Sequence, residues 1–251
     1  SKATGEPNLR REQTMNRFAW IPVLVAFAGT VACSKGGVKE FTPSAEEKAQ
    51  ATEVVQDTRS LQALKSDLQG ESALGAFSQI QSGASYLTSQ QLSRNSSSGS
   101  GLPSFLVEDP VFRLGDCAVV SGQSVTYNNC DYGSGVINGH IAVSGDVIDI
   151  DVTIAFSSSG TSGDYRYHGA ITVTDTLVDG ALSIDYDISS VSYDLDVRYS
   201  QVQLADGCPV GGELRVEVDT RVSGYGSIGA SSAVVEVAFG PACGEMTMKG
   251  G

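Results

Sequence analysis

Histidine is nearly absent from this chain. His140 and His168 are the only two among 251 residues, and both fall on the polar side of strand-like alternations with no motif around them. The stretches that would announce a reaction are missing too. There is no GxSxG, no HExxH, no phosphate-cradling GxxxxGK[ST] and no CxxC. A Ser, His and Asp can still meet in space, because triads are recognised by geometry and not by order. The sequence nevertheless predicts a protein that is not an enzyme, with no cofactor and no catalytic residue.

Basic residues are scarce as well, 16 against 29 acidic ones, for a net charge of −13. The imbalance lies in the distal part, where residues 105–251 hold 20 Asp or Glu against 6 Lys or Arg. Phosphate backbones are bound by clustered Lys and Arg, so no nucleic-acid partner is expected. Long hydrophobic runs are missing: the apolar run Phe18–Ala28 is interrupted by Pro22, and at eleven residues it falls short of the roughly 20 that a membrane-crossing helix needs.

That short run is informative for what surrounds it. Arg17 provides a positive flank, and Gly29, Thr30, Val31 and Ala32 provide the small residues of a cleavage site before Cys33. The segment Met15–Cys33, MNRFAWIPVLVAFAGTVAC, resembles the leader of bacterial lipoprotein precursors, although Thr30 stands where that family usually has Leu. The resemblance covers this segment alone. It implies cleavage before Cys33, acylation of Cys33, and a membrane partner reached through the N-terminal acyl chains. Ser34, in place of an aspartate, implies sorting to the outer membrane, hence a location in a bacterial cell envelope. Residues 1–14 carry no apolar pattern, and Met15 is the expected start.

With Cys33 assigned to the anchor, Cys117, Cys130, Cys208 and Cys243 form an even set in an exported chain, which predicts two disulfides. Three pairings are possible. Cys117 with Cys130 and Cys208 with Cys243 are favoured, since each pair brackets strand-like segments able to lie side by side. A four-cysteine zinc site is disfavoured because paired knuckles are lacking.

The chain then divides by composition. Residues 1–32 are upstream residues and signal peptide, and 33–43 the lipidated cysteine with a polar tether. Ser44 and Glu47 form a capping box that starts a helix. Ala51, Val54, Val55, Leu61, Leu64 and Leu68 give it a narrow apolar stripe ending at Gly70. A second, weaker helix carries Leu74, Phe77, Ile80, Ala84 and Leu87, with Gly75 and Gly83 as liabilities. Residues 44–94 thus read as a helical stalk or hairpin, either standing free or packed as a pair against the next domain, with a coiled-coil partner helix as the alternative. The Ser/Gly-rich stretch 95–104 reads as a linker leading to a domain over 105–251.

In that domain the period changes to two. Ile148, Ile150, Val152 and Ile154 alternate with Asp149, Asp151 and Thr153, and Leu182, Ile184, Tyr186 and Ile188 with Ser183, Asp185 and Asp187. Residues 191–199 and 214–222 repeat the pattern. Further strands are expected over 137–143, 165–173 and 235–239, joined by short connections at Ser144-Gly145-Asp146, Val178-Asp179-Gly180, Ser189-Ser190 and Tyr225-Gly226. The fold class that follows is mainly β, an antiparallel meander of seven to ten strands forming a sandwich or barrel.

Function is the least legible property. Asp149 with Asp151, Asp185 with Asp187, and Asp194 with Asp196 form carboxylate rows that would repel one another across neighbouring strands. They are a possible weak cation-binding set, although flat strand faces seldom converge enough oxygen ligands for calcium, and a solvated acidic face is the plainer expectation. Two classes remain. One is an envelope lipoprotein displaying an acidic, disulfide-stapled β-domain to an envelope protein partner. The other is a barrel-type carrier of a small apolar ligand.

Overall fold

The computed structural model describes residues 37–65, 70–95, 117–131, 135–158, 161–188, 191–224 and 227–251. Cys33 and its leader, Leu68, the Ser/Gly-rich segment and the connections Ser189-Ser190 and Tyr225-Gly226 lie outside the described residues.

Eleven strands pair into one antiparallel sheet. In chain order they are β1 (Lys39–Phe41), β2 (Ala118–Ser121), β3 (Ser124–Asp131), β4 (Gly135–Ser144), β5 (Val147–Ser158) and β6 (Thr161–Val173). There follow β7 (Leu177–Ile188), β8 (Val191–Ala205), β9 (Cys208–Gly224), β10 (Ser227–Phe239) and β11 (Met246–Gly250). From β2 to β11 every strand lies beside its neighbours in sequence, and β1 adds to β11 at the far side. The expected meander is therefore present. It is an open sheet: among the described residues it neither closes nor meets a second sheet, and the layer against it is helical.

Period-two alternation decides which side chains face that layer. One inner row runs Val125, Ile141, Ile150, Gly169, Leu182, Val197, Val216, Val235 from β3 to β10, each opposite the next. A parallel row places Tyr165 opposite Tyr186 and Tyr186 opposite Tyr193. Most of these residues are buried, Tyr193 completely.

Helix α1 (Ala45–Ser60) starts at the predicted capping box: the Ser44 N–H donates to Glu47 Oε2 at 2.8 Å and the Glu47 N–H to Ser44 Oγ at 3.2 Å. The helix tightens into a 3₁₀ turn over Leu61–Lys65, and Gly70, expected as its stop, instead opens α2 (Gly70–Asn95). Arg94 in the last turn of α2 reaches back to Glu47 at 2.6 Å, so the two helices form an antiparallel hairpin. Gly83 permits their approach, since a Cβ there would sit 2.6 Å from Val54 Cγ2. The residue that reads as a helix liability thus serves the packing.

Of the two expectations for residues 44–94, a free stalk and a pair packed against the next domain, the packed pair is the one present. Helix α2 packs over β8, β9 and β10, while α1 packs over β7 and β9. Leu61, Phe77, Ile80 and Leu87 share one core with the strands, and Lys35–Gly251 is a single compact unit. The expected boundary at 95–104 does not separate two cores, because a narrow apolar stripe on each helix is too small to be buried by the hairpin alone. The tether is corrected as well, since its Lys39–Phe41 part is strand β1 paired with Met248–Gly250.

One connection is also reassigned. Val178-Asp179-Gly180 is a bulge inside β7, where the register shifts between Val178 and Gly180. Gly180 has φ of 119°, and a Cβ would lie 2.3 Å from the Ala170 carbonyl oxygen. A turn and a bulge ask for the same residue types, which is why composition did not separate them.

Both disulfides form in the favoured pairing. Cys117 bonds Cys130, with Cα atoms 5.2 Å apart, and Cys208 bonds Cys243 at 5.6 Å.

Candidate functional site

The outer face of the sheet carries most of the residues with chemistry, and pairing register sets their neighbours. One row runs His140, Asp151, His168, Ser183, Asp196, Glu217 across β4 to β9. Beside it runs Thr153, Arg166, Asp185, Asp194, Asp219 across β5 to β9.

Polar contacts link residues within and beside these rows. Arg166 donates from Nε to Asp151 Oδ1 at 3.1 Å and from Nη2 to Oδ2 at 3.4 Å. His168 Nε2 lies 3.0 Å from Asp185 Oδ2, and His140 Nε2 lies 3.6 Å from Asp149 Oδ2. Arg215 bridges Glu217, at 2.9 Å, and Glu236. Arg221 stands 3.9 Å from Asp194.

The predicted carboxylate pairs are therefore only partly brought together. Strand β6 separates Asp149 and Asp151 on β5 from Asp185 and Asp187 on β7, and it inserts Arg166 and His168 between them. Asp185 does oppose Asp194, which opposes Asp219. Asp187 faces Ser192 and Asp196 faces Ser183. Among the described residues no three His, Cys, Asp or Glu converge to hold a metal ion. The six aspartates expected as a weak cation-binding set are distributed along strands, where alternation keeps successive outer residues about two rises apart.

Electrostatics follow this placement. The hydrogen bond from Arg166 holds the Asp151 carboxyl below its usual range, outweighing its slight desolvation. Asp194 is pushed up, first by burial and then by Asp185. Arg166 was not singled out by sequence reasoning. The signal was available in Asp164-Tyr165-Arg166-Tyr167-His168, whose alternation puts both basic residues outward.

His168 has an acid partner, and Ser183 is its register neighbour. The Ser183 hydroxyl, however, donates to Asp196, and the His168 and Asp185 side chains are 35% and 46% exposed. An activated nucleophile needs its hydroxyl bonded to the base, which is not the arrangement here.

The inner face differs in kind. Buried tyrosine hydroxyls meet polar side chains of the helices: Tyr167 donates to Gln81 Oε1 at 2.6 Å, Tyr193 pairs with Ser85 at 3.1 Å, and Tyr199 pairs with Thr58. Burial pushes the Tyr193 hydroxyl up to about 12, partly offset by Ser85 and Thr88. These contacts tie helices to sheet.

An open groove of about 630 Å³ lies where the end of α1 meets the β8–β9 turn, lined by Gln56, Arg59, Ser60, Gln62, Asp206 and Gly207 among others. Arg59 Nε is buried there without a hydrogen-bond partner. Among the described residues no helix is long and apolar enough to cross a membrane. Comparison with known proteins finds no family model, no curated protein and no solved structure that matches the chain.

Proposed function

We propose that the chain is a cell-envelope lipoprotein, held to the outer membrane by acyl groups on Cys33, which presents the outer face of its sheet to a basic protein partner and performs no catalysis. The observation that carries this reading is the asymmetry of the sheet. Its inner face packs against the helical hairpin over β7 to β10, whereas its outer face exposes rows of carboxylates outnumbering the arginines that pair with them, such as Arg166, Arg215 and Arg221. A surface of one dominant sign steers and selects partners of the other sign. Two disulfides suit an oxidising compartment such as the periplasm, and one acyl chain binds marginally while two hold stably.

The test is fractionation of cells producing the full chain and its Cys33→Ser variant. The wild type should partition with membranes and the variant with the soluble fraction; a variant that stays membrane-bound after a salt wash would overturn the anchor. For the surface, a photoreactive residue at Thr153 should give a discrete adduct that is lost when Asp149, Asp151 and Asp194 are changed to Asn. An adduct indifferent to those changes would overturn the acidic-face reading.

A further inference from the structure

Strand β1 begins at Lys39, six residues after Cys33, and its place in the sheet limits how far the folded unit can stand from whatever holds that cysteine. An extended chain gains at most about 3.6 Å per residue, so six steps reach about 21 Å. Beyond Lys39 the chain holds no slack. Lys39, Glu40 and Phe41 pair with Gly250, Lys249 and Met248, the Arg94 guanidinium lies 4.1 Å from the centre of the Phe41 ring, and Ser44 caps α1 three residues after Phe41. The segment that reads as a polar tether is thus taken up by the sheet.

Strand β1 is one edge of the sheet and β2 the other, with nine strands between them. At about 4.8 Å per strand spacing the two edges lie about 48 Å apart, measured along the sheet. A reach of about 21 Å therefore restrains one edge and leaves the other free. The restrained edge also differs in composition. Strands β1 and β11 carry Lys39 and Lys249 against one acid, Glu40, and Lys35 precedes them, which makes three of the five lysines that follow Cys33. Val38, beside Lys39, is 38% exposed. Ammonium groups on apolar stems suit a headgroup layer, whereas the carboxylate rows of the outer face are repelled by anionic headgroups.

We propose that the β1–β11 edge is seated on the lipid surface that holds the acyl chains of Cys33, so that the sheet stands on this edge with β2 pointing away and the acidic face open to water. The inference rests on the acylation of Cys33 proposed above and adds which part of the domain meets the membrane. Covalent reach selects the occupant: a surface that holds the acyl groups cannot be farther from Lys39 than the chain between them. Charge then chooses among the orientations that this reach allows, because laying the outer face on the lipid would bring Asp149, Asp151 and Asp194 against anionic headgroups.

The experiment uses the full chain purified from bacterial membranes and reconstituted on vesicles of phosphatidylethanolamine and phosphatidylglycerol that contain a lipid spin-labelled at its headgroup. A fluorophore is placed through Glu40→Cys, through Lys249→Cys or, at the far edge, through Val119→Cys; the four cysteines of the domain are bonded in pairs. The labels at 40 and 249 should lose most of their emission to the quencher, and the label at 119 should keep nearly all of its own. Two positions on the seated edge carry the test even where one substitution disturbs the strand. A chain that sediments with the vesicles while its labels at 40 and 249 are quenched no more than the one at 119 overturns the seated edge and leaves the anchor standing. A chain that stays in the supernatant overturns the acyl anchor, and the seated edge with it.

Discussion

The two faces of the sheet are written in alternate residues of the same strands, yet they obey different physics. On the inner face Tyr167, Tyr193 and Tyr199 bury large aromatic bodies and hand their hydroxyls to Gln81, Ser85 and Thr58. On the outer face Arg166, His168 and Arg215 pair with acids while remaining partly in water. An interaction made in the first setting has no competing solvent, so its loss leaves a cavity or an orphaned polar atom. One made in the second is shared with water and salt. Similar contacts should therefore differ in worth according to the side on which they lie.

The largest effect should come from the layer that covers the inner face. Phe77 is fully buried, and its ring centroid lies 6.2 Å from that of Tyr167, so it joins α2 to β6. Phe77→Ala should cost about 3–5 kcal/mol, as for other large-to-small changes in cores, measured by urea unfolding. A cost comparable to that of an exposed substitution would mean that the helices do not cover the sheet, and the contrast between faces would collapse.

Much of that contrast was legible in the sequence. Alternation assigned Ile148, Ile150, Val152 and Ile154 inward and Asp149 and Asp151 outward, as they stand, and the capping box located the start of α1. The sequence left the destination of the helices open between a free stalk and a pair packed on the domain. Their stripes look too narrow for a globular core when polar residues are counted as solvent-facing, but Thr58, Gln81 and Ser85 are buried because tyrosines on the sheet supply their partners. That match is between segments roughly a hundred residues apart in the chain, and no local period records it. The four-residue β2 and three-residue β1 are likewise too short to display alternation. On the outer face residue types were readable, but their neighbours depended on β6 lying between β5 and β7, which brings Arg166 and His168 among the carboxylates.

A smaller effect should come from an ion pair whose acid is withdrawn from water. Glu47 is buried beside Arg94 and also caps α1. Burial alone would raise its carboxyl, but the Ser44 hydrogen bonds and then Arg94 outweigh it, and the net position is below the ordinary value of 4.5. A folded-state value below the unfolded one contributes stability that is present above about pH 4.5 and lost as pH falls through the lowered folded value. Glu47→Gln should cost roughly 1.5–3 kcal/mol at neutral pH, the range for hydrogen bonds to charged groups. It should also flatten the loss of stability below about pH 4.5. A variant that keeps the wild-type acid slope would show that Glu47 is not the group responsible.

The smallest effect should come from the corresponding pair outside. Arg166 and Asp151 make two hydrogen bonds, yet their side chains are 49% and 48% exposed, so the attraction competes with hydration and with salt at every point. Arg166→Ala should leave the unfolding midpoint within the scatter of the measurement. The change should appear instead in titration: without its arginine, the Asp151 carboxyl should move up toward its ordinary value, followed by the pH dependence of its side-chain carbon resonance. Raising salt in the wild type should move it the same way and by less, because ions screen the arginine without removing it. A midpoint that falls as far as it does for Phe77→Ala would show that the outer face is a packed face, and it would transfer the acidic rows from a surface offered to partners to a part of the core.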